Sequence, residues 1–132
     1  VKLLLDTHLL LWAANPDGGS AGAMPSAAAA LIDDEQNLLH FSAASIWEVA
    51  IKSARGRADF AVDPHLLRRG LLDNDYVEIV VTSEHAAAVS SLPPIHKDPF
   101  DRLLAAQASV EGLTLLTLDA ELARYPGPIR KL

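Results

Sequence analysis

With 132 residues, half of them apolar and 21% charged, the chain is long enough to bury one continuous core and too hydrophobic to be disordered. It has no cysteine, which excludes a disulfide framework, a thiolate metal site and a cysteine nucleophile, and which fits a reducing cytoplasm. A net charge of −6 argues against nucleic-acid binding through a broadly basic surface.

Residues 2–5 form a short apolar run that reads as a buried strand, closed by Asp6. Residues 7–14 read as a helix, and residues 15–20 carry the Asn, Pro, Asp and Gly that break one. Residues 25–35 read as a second helix, with Pro25 near its first turn and an alanine run expected to serve as a tight packing surface. A second strand follows at 38–41, then a helix over 44–55 stopped by Gly56. Asp63-Pro64 opens another helix that runs to Asp73. Residues 77–81 are β-branched enough for a strand, and 82–91 return to helix before Pro93-Pro94. The longest helix spans 99–111 and stops at Gly112. It is followed by a strand at 113–117, a short helix at 119–124 and an edge strand at Ile129.

Strands separated by helices predict an α/β fold, a parallel sheet of four or five strands with helices on both faces. No internal repeat or dividing linker interrupts it, so residues 1–132 read as a single domain. Asp6 and His8 break the opening apolar stretch, leaving it short of a signal-peptide core. No run approaches the roughly 20 apolar residues of a membrane span. The expected location is the cytoplasm, without membrane association.

In open α/β sheets, functional groups gather beyond the carboxyl ends of the strands. Four acids fall at such places: Asp6 after the first strand, Glu48 early in the third helix, Asp101 at the start of the longest helix, and Asp119 after the fourth strand. Carboxylates brought together repel unless protons or cations neutralise them, and hard cations such as Mg2+ prefer oxygen ligands. Each acid also has a structural alternative. Asp6 and Asp119 can cap the helices that follow them. Ser45-Ile46-Trp47-Glu48 matches a capping box, and Glu48 stands four residues before Lys52, the spacing of a helical ion pair. Asp98 before Pro99 reads as an N-cap. Asp101 is then the better ligand, on the same side as Leu104, Ala105 and Ala108. Thr7 and Thr117 supply hydroxyls that can position water. The joint pattern, rather than any one acid, points to a metal-dependent acidic site.

Other residues are less informative. His96 reads as a hydrogen-bonded loop residue, and the other histidines lack the spacing of zinc ligands. Trp12 and Trp47 read as core. Lys52, Arg55, Arg57, Arg68, Arg69 and Arg102 offer a local basic patch despite the acidic total. Dinucleotide, P-loop and serine-hydrolase glycine motifs are absent.

Leu5-Asp6-Thr7-His8, the segment Ser42 to Glu48, the segment His96 to Ala108 and Leu116-Thr117-Leu118-Asp119 together resemble PIN-domain proteins, and among them the VapC-type ribonuclease toxins of bacterial toxin–antitoxin pairs. The likeness spans nearly the whole chain in the expected order, and 96–108 is its most specific part. It implies an α/β/α sandwich and a Mg2+- or Mn2+-dependent endoribonuclease. Asp6, Glu48, Asp101 and Asp119 would line the acidic pocket, with Asp98 inside the motif in a supporting place. It further implies an RNA substrate, a cognate antitoxin that blocks the site, and a homodimer. In such a pocket a cation acidifies water for attack on a phosphodiester and offsets charge on the phosphoryl oxygens. Two other readings fit the residues. One is a Mg2+-dependent phosphatase or phosphotransferase with Asp6 as nucleophile, although His8 stands where haloacid-dehalogenase-like enzymes place a second Asp. The other is a non-catalytic interaction module whose acids only cap helices.

Overall fold

The computed structural model describes residues 1–14 and 24–132, so the breaker-rich segment 15–20 lies outside the described residues. Five strands run parallel through its centre: β1 (Lys2–Leu5), β2 (Leu38–Ser42), β3 (Val77–Ile79), β4 (Thr114–Thr117) and β5 (Ile129–Lys131). Their order across the sheet is β3-β2-β1-β4-β5. Among the described residues six α-helices cover it: α1 (Thr7–Ala14), α2 (Ser26–Asp33), α3 (Ala43–Ala54), α4 (Pro64–Asp73), α5 (Ser83–Ala88) and α6 (Pro99–Glu111). Parallel neighbours require such crossovers, because a tight turn cannot join them.

β1 is the central strand, and its alternation divides the core in two. Leu3 and Leu5 pack with Leu9, Leu10, Phe41 and Phe60, whereas Leu4 packs on the opposite face with Leu104, Ala108, Leu115 and Leu122. Burial on both faces explains why the run is continuously apolar instead of alternating with polar residues. Each fully buried leucine contributes about 1.5–3 kcal/mol. The chain winds outward from β1 through β2 and β3, then returns to β4 on the other side of β1. The carboxyl ends of β1 and β4 therefore flank the topological switch point, where open α/β sheets form a crevice.

α6 brings its first turn to that end of the sheet. Asp98 accepts N–H bonds from Phe100 (2.8 Å) and Asp101 (3.4 Å), and Pro99 occupies the first helical position. Gly112 closes the helix at φ 69°, in the left-handed region open to glycine. Between these ends Leu104, Ala105 and Ala108 face the sheet, as their spacing predicts.

Several expectations need correction. α3 starts at Ala43 with Ser42 as its cap, so Ser45 lies within the first turn and the Ser45–Glu48 capping box does not form. Trp47 is not core: α3 buries Ala44, Ser45, Glu48 and Val49, and Trp47 falls off that stripe, 61% exposed and edge-on to Phe100 at 5.2 Å. Trp12 is half-buried against the core. Of the alanine run only Ala28 is fully buried, because α2 rests on the core through Ala28, Leu31 and Ile32. The strand expected to reach Val81 stops at Ile79. The helix expected over 82–91 ends at Ala88 in a 3-10 turn, and that expected over 119–124 is a 3-10 turn at Leu122–Arg124. Of the basic residues, Lys52 pairs with Glu48, Arg68 lies 3.8 Å from Glu78, and Arg102 donates to Pro93, Val89 and Tyr125.

Candidate metal centre

The alternation that turns Leu4 and Leu115 toward α6 continues to Asp6, just past β1, and to Thr117, the last residue of β4. Their side chains meet there: Thr117 Oγ1 donates to Asp6 Oδ2 at 2.7 Å. Asp6 Oδ1 accepts from the Leu9 N–H at 2.9 Å, so Asp6 also caps α1. The structural and functional readings of this residue coexist. Burial pushes the Asp6 carboxyl up, while the bonds from Leu9 and Thr117 pull it back.

Glu48 reaches the same place from α3. It is 2% exposed, and its Oε1 accepts from Thr7 Oγ1 at 2.6 Å while Oε2 lies 2.6 Å from Lys52 Nζ. Thr7 Oγ1 also lies 3.0 Å from Ser45 Oγ. The expected Glu48–Lys52 pair is therefore present, but it is buried beside other acids instead of lying on a solvated face. Lys52 Nζ stands 3.9 Å from Asp98 Oδ2 as well.

Asp101 projects from the first turn of α6. Burial first, then the negative charges of Asp98, Glu48 and Asp6, push its carboxyl up to about 7, with His96 acting the other way. This carboxyl thus feels three other acids at once. Asp119 joins from beyond β4, tied to the others through neighbours. Its N–H donates to Thr117 Oγ1 at 3.0 Å, and its Oδ1 accepts from the Glu121 and Leu122 N–H groups at 2.8 and 3.3 Å. Its Oδ2 lies 3.0 Å from His96 Nε2. Burial would raise this carboxyl, but the bonds from His96, Glu121 and Leu122 outweigh it and hold it below the usual range.

His96 is the residue that sequence reasoning undervalued. Its Nε2 lies between two carboxylates, 3.2 Å from Asp101 Oδ2 and 3.0 Å from Asp119 Oδ2. Its Nδ1 accepts the Asp98 N–H at 3.1 Å. Burial pulls the ring's pKa down, but the Asp119 bond and the charges of Asp101, Asp119 and Glu121 outweigh it and raise it. The signal was present in His96-x-Asp98-x-x-Asp101, where the loop places the ring over the helix start. Lys52 was legible as a helical pair, but nothing in its spacing showed that it enters the acid cluster.

The structure therefore brings Asp6, Thr7, Glu48, Asp98, Asp101, Thr117 and Asp119 to one end of the sheet. Asp6, Glu48 and Asp101 are coupled by charge, and Asp119 is linked by hydrogen bonds. The donors suit a hard divalent cation: they are carboxylate oxygens, and Asp101 carries the like-charge pressure that such a cation relieves. Mg2+ and Mn2+ fit this chemistry.

A family model for the PIN domain matches residues 3–128. No curated protein matches the chain in sequence. Among solved structures, the chain is similar to VapBC2 from Rickettsia felis bound to a promoter DNA fragment, with a TM-score of 0.71 and 14% identity over 100% of this chain and 99% of that one. DNA-bound VapBC from Salmonella typhimurium gives 0.67 and 16%, over 99% and 98% of the two chains. A toxin–antitoxin complex from Klebsiella pneumoniae gives 0.65 and 15%, over 98% and 96%. The family match spans β2, β3, β4, most of β1 and every acid of the cluster, and the chain belongs to the PIN domain family.

Proposed function

We propose that this chain is the toxin of a toxin–antitoxin pair, a divalent-metal-dependent endoribonuclease that hydrolyses RNA phosphodiester bonds. One observation carries the reading: four acids from four elements meet at the sheet's switch point, with Asp6 held by Thr117 at 2.7 Å, Glu48 by Thr7 at 2.6 Å, and Asp101 and Asp119 both within 3.2 Å of His96 Nε2. Such a charge surplus costs stability unless protons or a bound cation offset it. Family membership and the likeness to solved toxin–antitoxin complexes support the nuclease and the antitoxin partner.

The residues take the following parts. Asp6 and Asp101, helped by Glu48 and Asp119, would hold Mg2+ or Mn2+. When bound, the cation acidifies water and offsets charge on the phosphoryl oxygens. Thr117 and the Leu9 N–H fix the Asp6 carboxylate, and Thr7 fixes Glu48, so the oxygens are aligned before substrate arrives. Asp98 holds the first turn of α6 in place and thereby Asp101. Lys52 supplies positive charge at the cluster's edge, where an RNA phosphate approaches an otherwise acidic surface.

The proposal includes a cytoplasmic location and a homodimer. Among the described residues no helix is long and apolar enough to cross a membrane. The test is incubation of the purified, antitoxin-free protein with total bacterial RNA, with Mg2+ or Mn2+ and with EDTA. Discrete cleavage that requires the metal and is lost in Asp101→Asn is expected. Cleavage that persists in EDTA, or in Asp101→Asn, would overturn the assignment.

A further inference from the structure

Resting on the nuclease reading above, we propose that Trp47 is a stacking platform for an unpaired RNA base beside the acidic site. The substrate is then single-stranded at the cut. α3 and α6 meet through three pairs that lie side by side. Trp47 stands edge-on to Phe100 with ring centroids 5.2 Å apart, the Glu48 charge acts on the Asp101 carboxyl, and Lys52 Nζ lies 3.9 Å from Asp98 Oδ2. On both helices the aromatic immediately precedes the acid, as Trp47-Glu48 and Phe100-Asp101. Helical geometry sets Glu48 between Trp47 and Lys52 around the axis of α3. The acids are therefore flanked by an aromatic surface on one side and an ammonium group on the other.

The fold itself makes little use of Trp47. Neither core cluster includes it, and its indole is 61% exposed. Two kinds of surface cover an exposed tryptophan, a nucleobase and a second protein. A stable homodimer takes about 800 Å² of surface from each partner. Trp47, however, is the only large apolar side chain exposed on α3 or α6. The outward positions beside it, Ala43, Ala50 and Ala54, are small, so the indole stands above a shallow shelf. One planar base covers an indole face, and every base has a π-face to offer. The Lys52 ammonium, on the far side of Glu48, suits a phosphate of the same strand. Duplex RNA keeps its base faces in the stack, so only a loop or single strand reaches Trp47.

Tryptophan fluorescence tests the contact without a cleavage assay. The full-length protein with Mg2+ is mixed by stopped flow with a short single-stranded RNA, or with the duplex of that strand. Rapid quenching by the single strand alone is expected, and Trp47→Phe, which leaves only Trp12 to report, should lose it. No quenching, or equal quenching by the duplex, would overturn the inference. Cleavage rates separate the inference from the reading beneath it. Trp47→Ala should lower kcat/KM on single-stranded RNA by about 10–100-fold through KM, with kcat within about twofold, and Trp47→Phe should restore most of the loss. An RNA that parent and Trp47→Ala cleave equally well would overturn the inference and leave the nuclease standing. Quenching by RNA that no metal lets the protein cleave would sustain the platform and overturn the nuclease. Sedimentation of both proteins decides against the second-copy occupant. A parent dimer that Trp47→Ala turns into monomers would place Trp47 in a subunit interface and overturn the inference.

Discussion

The two ends of α6 carry the same kinds of residue and differ in what they leave unbalanced. Near the C-terminal end, buried His85 contacts Glu111 at 3.1 Å, and its Nδ1 accepts the Thr82 N–H at 3.0 Å in a capping box. Gln107 Nε2 approaches the same ring at 3.3 Å. At the N-terminal end, His96 likewise contacts carboxylates and likewise accepts a backbone N–H on Nδ1. There, however, Asp6, Glu48 and Asp98 add charge to Asp101, and Lys52 offsets only part of it. A histidine–carboxylate contact does not by itself mark a functional site. What sets the N-terminal end apart is surplus like charge gathered at the switch point of the sheet.

Substitution at each end breaks that comparison most sharply. Asp101→Asn should lower RNA cleavage by about 10²–10³-fold, the usual loss when a group aligned with developing charge is removed. Glu111→Gln, at the other end, should leave the rate within about twofold. Equal losses in the two variants, measured on one RNA substrate, would erase the distinction.

A pH titration of stability sharpens it next. Asp101 keeps its proton up to about pH 7 in the fold, against an ordinary value of 3.8. The cation-free fold therefore binds an extra proton between these values, and stability is lost as pH rises through them. The melting temperature of the metal-free protein should fall from about pH 4 to pH 7, and Asp101→Asn should flatten that fall. At pH 8 this variant, without cation, should melt about 3–6 °C higher than the parent, the shift of roughly 1 kcal/mol in a domain of this size. A flat profile in the parent would mean that the acids at this end are not in conflict.

His85→Ala should do the reverse. Removing a buried ring that satisfies the Thr82 N–H costs about 2–4 kcal/mol of stability while leaving cation binding unchanged. Chemical denaturation and Mn2+ binding measured on the same sample check both halves. The smallest effect is expected from Trp47→Ala. Its side chain is 61% exposed, and stability should change by about 1 kcal/mol or less. A loss as large as that of a core leucine would mean that the Phe100 contact matters more to the fold than its exposure allows.

Much of this was legible in the sequence because the signals were local. β1 is apolar on both faces and ends at an acid, and Asp98-Pro99 with Gly112 marks both ends of α6. Such punctuation depends on neighbours along the chain, which sequence displays. The acids were legible as a set because strand ends and helix starts share one edge in a parallel sheet. What escaped depends on orientation in space. Trp47 is apolar but lies one position off the buried stripe of α3, and periodicity over so short a segment did not reveal which face turned inward. Ser45 and Glu48 have capping-box spacing, yet the helix starts two residues before Ser45, and both side chains turn to Thr7, 38 and 41 residues away. His96 meets Asp119 across 23 residues, a contact no local spacing encodes.

The most direct test of the central claim, that the N-terminal end of α6 faces a divalent-cation site, is the melting temperature at pH 8 with increasing Mg2+. A bound cation stabilises the fold in proportion to RT ln(1 + [L]/Kd). The parent protein and Glu111→Gln should therefore melt progressively higher as Mg2+ is added, while Asp101→Asn should barely respond. A rise of equal size in all three proteins, or none in the parent, would contradict the claim.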